Sequence, residues 1–260
     1  MNIGILYICT GKYNVFWKDF FDSCEKYFLP KDNKEYFVFT DADYIKGEKN
    51  TNVHKIYQEN LGWPDNTLMR FNMFHSIKEK LVSMDYLFFF NANLMFIKVI
   101  ERDFLPQNEN LSVVIHPGFR HSKPEDYPYE RKRESLAYIP YGSGKIYVQG
   151  ALNGGKTKAY LDMIEELDEA ILKDKEKGIV AIWHDESHLN HYIIGRTDLK
   201  ILGPEYVNQE DVDYGVEPMI ISRNKDNYMN IDDLRGIKKS NYEKLVAKLK
   251  KGIKYILRRK

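Results

Sequence analysis

Apolar residues along the chain follow two spacings, and the switches between them predict its elements. Ile3 to Thr10 is a short apolar run of β type, and after Gly11-Lys12-Tyr13 the residues Phe16, Phe20, Phe21 and Cys24 follow at helical spacing, so strand, loop and helix open the chain. Glu35 to Thr40 is a second β-run, ended by Asp41-Ala42-Asp43, and Val53 to Tyr57 is a weaker third. Thr67 to Met84 has helix-forming composition, with Met69, Met73, Ile77, Lys80 and Leu81 three or four apart, and Tyr86 to Phe90 is a wholly apolar strand. Next come a strand over Val113 to His116, a polar proline-rich loop from Pro117 to Pro128, a strand over Lys145 to Val148, and a long helix over about Lys158 to Lys177. Strands alternating with helices predict a largely parallel sheet covered on its faces. Past about Ser222 strand signals thin out, and from Ser240 to Lys260 the residues Tyr242, Leu245, Val246, Leu249, Ile253, Ile256 and Leu257 recur at helical spacing among lysines and arginines. No internal repeat or low-complexity linker is visible.

Composition narrows the class. The 260 residues are 43% hydrophobic and 14% aromatic, enough for one large core at the upper size of a single domain. Its 39 Lys and Arg against 38 Asp and Glu give a net charge of +1, so bulk electrostatics favour neither nucleic acid nor an acidic partner. Cys9 and Cys24 have apolar neighbours and read as reduced core residues rather than a disulfide framework or zinc site. The chain begins directly in an apolar strand, with no basic leader, no apolar stretch of about 18 residues and no small-residue cleavage site, so a cytoplasmic protein without a membrane span is expected.

Three segments hold polar or small residues where packing alone does not ask for them. Asn91-Ala92-Asn93 directly follows the apolar strand; in open α/β sheets ligands bind beyond the carboxyl ends of strands, and amides at i and i+2 of an extended chain point the same way, although a strand-ending turn explains them equally. Trp183-His184-Asp185-Glu186-Ser187-His188-Leu189-Asn190 concentrates titratable groups suited to acid/base or carbohydrate chemistry. Its bland alternative is a helix N-terminus capped by Asp185 or Ser187. A metal on His184 and His188 at i, i+4 lacks both the zincin order and a third ligand. Gly150-Ala151-Leu152-Asn153-Gly154-Gly155 would let a backbone approach a ligand closely, but a glycine cluster by itself predicts a turn.

The runs Tyr129-Glu130-Arg131, Ser135-Leu136-Ala137-Tyr138-Ile139-Pro140, His116-Pro117-Gly118-Phe119, Trp183 to Asn190 and Pro204-Glu205-Tyr206 resemble, in order and spacing, the family of histo-blood-group A and B transferases, α1,3-galactosyltransferase and Forssman synthase. The resemblance runs from about Ile3 to Tyr206, and the octet is its most specific part. It implies an α/β GT-A fold: a single Rossmann-like mixed sheet flanked by helices over residues 1–221, then a C-terminal tail over 222–260 that comprises a nucleotide-covering segment and a basic amphipathic helix. It also implies an enzyme that passes galactose or N-acetylgalactosamine from a UDP-sugar to O3 of a β-galactoside with retention, using an Asp-x-Asp motif to hold Mn²⁺ on the diphosphate. Here Asn91-Ala92-Asn93 stands in that place, and neutral amide oxygens are weak ligands for a hard dication, so no divalent metal and no other cofactor is expected.

By the same resemblance, Ile8, Thr10 and Tyr13 match the uridine pocket, Arg70 the arginine near the donor sugar and diphosphate, and Gln149 and Ala151 the positions that discriminate galactose from its 2-acetamido analogue. An arginine amid Leu68, Met69 and Phe71 should have an anionic partner. Small Ala151 beside Gly150 leaves room for an N-acetyl group, so UDP-GalNAc is the expected donor and UDP-Gal the alternative, with a plain or fucosylated β-galactoside as acceptor. Glu186 matches the catalytic carboxylate, which also meets the acceptor; Asp185 matches the acid on the donor sugar hydroxyls; His116 and Trp183 match the acceptor wall. Lys225 and Arg235, helped by Lys238 and Lys239, are candidates to offset charge on the leaving UDP, although their spacing is longer than the family's and tail lysines without a ligand role are the alternative. For the terminal helix both the protein's own core and the anionic inner face of a membrane fit. A catalytically idle sugar-binding protein of the same fold is the rival reading.

Overall fold

The computed structural model describes residues 1–236. Its strands are β1 (Asn2–Ile8), β2 (Asn33–Thr40), β3 (Val53–Tyr57), β4 (Tyr86–Phe90), β5 (Leu94–Phe96), β6 (Leu111–Ile115), β7 (Val148–Lys156), β8 (Leu199–Leu202), β9 (Asn208–Gln209) and β10 (Ile220–Ser222). The α-helices are α1 (Trp17–Tyr27), α2 (Asp65–Leu68), α3 (Arg70–His75), α4 (Lys78–Leu81), α5 (Thr157–Glu176), α6 (Asp185–Tyr192) and α7 (Ile231–Leu234). Two compact units divide the chain, Met1–Asn224 and Lys225–Lys260.

The first unit is the mixed α/β fold expected from the sequence. A seven-stranded sheet runs β3-β2-β1-β4-β7-β6-β8, parallel throughout except that β7 opposes both β4 and β6. The central strands β1 and β4 are almost continuously apolar because both of their faces are covered. On one face, α1 packs Trp17, Phe20 and Phe21 against Tyr7 and Tyr36. On the other, α3 and α5 join Phe71, Phe74, Tyr160, Ile164 and Leu167 to Phe37, Phe39 and Phe89 in one buried cluster. Cys9 and Cys24 are buried free thiols, and burial pushes both up to about 12, which leaves them protonated and inert.

Several elements differ from the sequence pattern. The helix expected over Thr67 to Met84 is broken into α2, α3 and α4, with non-helical backbone at Met69 and Ile77. Apolar spacing reports which side chains face the core, and Leu68, Phe71, Phe74, Ile77 and Leu81 are all buried, but it does not require one continuous ladder. The glycine cluster forms most of β7 and no turn. Two of its glycines are there for strand contact: a Cβ on Gly154 would lie 2.3 Å from Phe88 Cδ1 and 2.4 Å from the Leu87 carbonyl oxygen, and one on Gly155 2.3 Å from the Asn110 carbonyl oxygen. The strand expected over Lys145 to Val148 therefore begins only where that one ended. Opposite β7, the partner of β6 jumps from Asn153 at Val113 to Gln149 at Val114, so Gly150, Ala151 and Leu152 bulge away from β6.

A small second sheet, β5-β10-β9, has no counterpart in the pattern because its strands are two or three residues long. Its strand β10 carries the first unit past residue 221 to Asn224. In the second unit, Lys225–Asn227 is a 3-10 turn and α7 is capped by the Asn230 side chain, which accepts from the N–H groups of Asp232 and Asp233 at 3.1 and 3.4 Å. Lys238, Lys239 and the amphipathic run from Ser240 to Lys260 lie outside the described residues. Among the described residues no helix is long and apolar enough to cross a membrane.

The Gly154 contacts make a direct prediction. Gly154→Ala should lower stability by about 1–3 kcal/mol or more, since backbone as well as a ring must move, while an alanine at Gly178, which has open space around it and pays only for its positive φ, should cost less. Chemical denaturation measures both, and equal stability of Gly154→Ala and the parent would show that β4 and β7 do not approach this closely.

Candidate active site

The strand order reverses at β1, which has β2 on one side and β4 on the other, and open α/β sheets bind ligands beyond the carboxyl ends of the strands at such a switch point. Ile8 ends β1, Thr10 follows it, and Tyr13 sits in a 3-10 turn whose start is fixed by Gly11 N–H donating to Asp41 Oδ1 at 2.7 Å. Asn91 follows β4 and donates its main-chain N–H to the Ala151 carbonyl at 2.8 Å, so Ile8, Thr10, Asn91 and Ala151 line one edge of the sheet.

The two asparagines are not equivalent. Leu94 N–H donates to the Asn91 carbonyl at 2.9 Å, closing a strand-ending turn, so the two side chains do not share a direction as they would in extended chain. Asn91 is half-buried. Asn93 is buried, and its Nδ2 donates to the Arg223 carbonyl at 2.7 Å and to Ser222 Oγ at 3.0 Å, which ties it to β10. Arg223, which the sequence pattern did not single out, is itself buried and bonds Asp19 Oδ2 at 2.8 Å and the Phe16 carbonyl at 3.2 Å, joining β10 to α1.

The octet from Trp183 builds the other wall. His184 holds the N-cap position with φ 55°, outside the helix, so it does not share a helix face with His188. Neither Asp185 nor Ser187 is the cap; instead Ser187 Oγ reaches back to accept the Trp183 N–H at 3.0 Å. His188 is buried near Asp174, 3.6 Å away, and burial lowers its basicity to about 4, leaving it neutral. Asn190 clamps α6 to β7: it accepts from Val148 N–H at 3.0 Å and donates to the Val148 carbonyl and the Glu186 carbonyl, both at 2.9 Å.

That clamp sets two adjacent carboxylates against Gly150. Arg70 is buried with its guanidinium 4.0 Å above the Phe89 ring; its Nη1 donates to the Gly150 carbonyl at 2.6 Å and forms an ion pair with Asp185 Oδ2 at 2.6 Å, so its anionic partner is Asp185. Glu186 accepts from Gly150 N–H at 2.8 Å through Oε2 and from Tyr147 O–H at 2.6 Å through Oε1. Burial pushes Asp185 up to about 6 against the pull of Arg70, and Glu186 up to about 7 against its two hydrogen bonds. Gly150 leaves room for this arrangement: a Cβ there would meet Glu186 Cβ at 3.3 Å and Arg70 Nη1 at 3.5 Å. Gln149 and Ala151 flank it, half-buried, and Gln149 Oε1 is buried without a hydrogen-bond partner.

Beside this group, Trp183 is 47% exposed, and His116 packs on Tyr147 and Phe119 with ring centres 5.7 and 4.9 Å apart. His116 Nδ1 accepts from Gly118 N–H at 3.1 Å and burial lowers its basicity, so the neutral ring has Nε2–H left to donate. Thus Arg70, Gln149, Ala151, Asp185, Glu186 and His116 come together around β7 and α6, and Ile8, Thr10 and Asn91 join them at the sheet edge. Lys225 and Arg235 belong to the second compact unit. The pattern missed Tyr147, which looked like one more apolar strand residue, and the two main-chain groups of Gly150, which no side-chain motif reports. Among the described residues no group of three or more His, Cys, Asp or Glu side chains is placed to hold a metal ion.

Comparison with known proteins gives a consistent result. The model of glycosyltransferase family 6 matches residues 1–230. The chain is 38% identical to the O-antigen biosynthesis glycosyltransferase WbnI of Escherichia coli over 226 residues, 87% of this chain and 96% of that protein. It is 32% identical to histo-blood group ABO system transferase 2 of Rattus norvegicus and 29% identical to globoside alpha-1,3-N-acetylgalactosaminyltransferase 1 of Homo sapiens, over 79% and 80% of this chain. It spans less than two thirds of those mammalian relatives, 63% and 61% of their lengths.

Two substitutions test the geometry without an assay. Arg70→Met leaves Asp185 buried without its cation and should cost about 3–5 kcal/mol in chemical denaturation, part of which Arg70→Met/Asp185→Asn should recover; additive losses would mean the pair is not coupled. Asn93→Asp sets a carboxylate oxygen against the Arg223 carbonyl and should destabilise by about 1–3 kcal/mol, whereas an unchanged protein would show that the Asn93 amide is not committed to β10.

Proposed function

The chain belongs to glycosyltransferase family 6, and from that premise we propose that it transfers N-acetylgalactosamine from UDP-GalNAc, with retention and in α1,3 linkage, to a β-galactoside that carries fucose, and that it does so without a metal ion. The observation that carries this reading is the pair of carboxylates at the start of α6, held by Arg70, Gly150 and Tyr147 beside the sheet switch point. Asp185 keeps a lone pair for the donor sugar hydroxyls while Arg70 balances its charge. Glu186 lies under the anomeric carbon, where its negative charge stabilises the oxocarbenium character that develops as the bond to UDP breaks. The acceptor hydroxyl, oriented by His116 Nε2–H with Trp183 beneath the sugar ring, bonds the anomeric carbon on the face that UDP vacates and passes its proton to the departing diphosphate oxygen. Small Ala151, beside a bulge that has no Cβ at Gly150, supports the 2-acetamido donor over galactose.

The residues at the family's metal position do not fit a divalent ion. Asn91 and Asn93 offer neutral oxygens only, and Asn93 is buried with its amide nitrogen spent on β10. We assign the task of offsetting charge on the departing UDP to Lys225 and Arg235, cations that need no ion to act. The basic run after Lys239 is proposed to rest at the anionic inner face of a membrane, where a lipid-carried acceptor would be presented.

The test is UDP release from UDP-GalNAc and UDP-Gal with plain and fucosylated galactosides, with and without EDTA. UDP-GalNAc with the fucosylated acceptor should turn over at the same rate in EDTA; a rate abolished by EDTA and restored by Mn²⁺ overturns metal independence, and faster turnover of UDP-Gal overturns the donor assignment. Glu186→Gln keeps the shape and can still accept from Gly150 N–H, so donor binding should persist while kcat falls about 10²-fold or more, the scale of one lost electrostatic contact in the transition state. Because the reaction needs Glu186 ionised and burial raises it to about 7, kcat/KM should fall as pH drops below about 7. A profile flat from pH 5 to 8 would place the reacting carboxylate elsewhere.

A further inference from the structure

Tyr147 donates its O–H to the reacting carboxylate, and the reaction as derived so far names it only as one of the groups that hold the pair. Its ring is 1% exposed and locked on three sides, with Phe119, Tyr129 and His116 ring centres at 5.2, 5.6 and 5.7 Å. The phenol therefore has one position, and from it the O–H donates to Glu186 Oε1 at 2.6 Å. Gly150 N–H takes the other oxygen at 2.8 Å. A free glutamate carboxylate turns about its last bond with little hindrance; here two donors three residues apart, Tyr147 just before β7 and Gly150 within it, pin both oxygens, and the Asn190 clamp ties β7 to α6.

We propose that Tyr147 is a positioning residue for the transfer: it holds the plane of the Glu186 carboxylate toward the anomeric carbon and links that carboxylate to the aromatic wall that carries His116. The proposal rests on Glu186 being the reacting carboxylate. Each oxygen of Glu186 accepts one of these bonds and keeps a further lone pair. The phenolic hydrogen stays on Tyr147, because burial and the neighbouring Glu186 charge push its ionisation well above the ordinary phenol range. The ring reaches His116 and Phe119 on the same face, so an acceptor that displaces either would act on the carboxylate through one rigid body. The charged and titratable groups around Glu186 are Tyr147, Asp185 and, on α3, Arg70; those around Tyr147 are Glu186, Asp185, Tyr127, Tyr129 and His116.

Tyr147→Phe keeps the packing and removes only the O–H. The variant should keep its fold by circular dichroism, lose about 10- to 100-fold in kcat with donor KM nearly unchanged, and move the acid limb of its kcat/KM profile to higher pH, because Glu186 loses a donor to its ionised form. In the Glu186→Gln background the same change should cost no further activity. A Tyr147 that only fills space would leave the pH limb where it was, and that result, or a kcat within twofold of the parent, overturns the proposal.

A second measurement needs no turnover. A carboxyl whose folded-state ionisation is raised stabilises the protein at low pH, and that contribution is lost as pH rises through its folded value; the Tm difference between the parent and Glu186→Gln, followed from pH 5 to 9, therefore reports Glu186 directly. In the Tyr147→Phe pair this transition should lie at higher pH, and an unmoved transition also overturns the proposal. If the transition moves but no donor and acceptor are turned over, Tyr147 does hold Glu186 and the assigned reaction is what fails.

Discussion

The main chain of Gly150 is where the charges of the site meet. Its N–H takes one oxygen of Glu186, and its C=O takes Arg70, which in turn holds Asp185. Two carboxylates adjacent in sequence at a buried helix start would repel each other with little water to screen them. Glu186 receives the Gly150 N–H itself, while Asp185 pairs with the Arg70 guanidinium that the Gly150 carbonyl holds, which separates their environments without separating their positions. A Cβ at 150 would sit 3.3 Å from Glu186 Cβ, close enough that the carboxylate side chain would have to give slightly. The bulge of Gly150, Ala151 and Leu152 from β6 frees those backbone groups from ladder pairing so that they are available to side chains.

This arrangement carries a stability cost. Burial raises both carboxyls by penalising their ionised forms, and a guanidinium, an amide and a phenol offset part of that penalty. The rigid supports lie one step out. Asn190 supplies α6 with strand-like hydrogen bonds to Val148, and Asp174 accepts from Ser135 Oγ at 2.6 Å and from Leu136 N–H at 3.0 Å, anchoring the loop behind α6 to α5. His188 packs there as a buried neutral ring, 3.6 Å from Asp174 and without a hydrogen bond from either ring nitrogen.

On the opposite wall the Asn93 side chain forms a structural tie. An aspartate at 93 could not donate to the Arg223 carbonyl, whereas the asparagine does, and through Ser222 and Arg223 it couples the end of β4 to β10 and then to α1. The second compact unit begins directly after this strand, at Lys225.

From the sequence alone came the alternation of strands and helices, the two buried thiols, the family, and the residues of the octet, because each is written in local apolar spacing or in a contiguous run of unusual polar residues. The exact bounds of β3 and β4 were legible for the same reason. What the tertiary structure decided is everything that joins distant segments through the backbone. Glycines that signal a turn in isolation form the strand beside β4, since only a missing Cβ lets Phe88 and Leu87 approach. The pairing of Arg70 with Asp185, the phenol of Tyr147 on Glu186 and the commitment of Asn93 to β10 span 115, 39 and about 130 residues. No periodicity records them, because a hydrogen bond between distant residues depends on where the sheet places two side chains and not on what stands next to either.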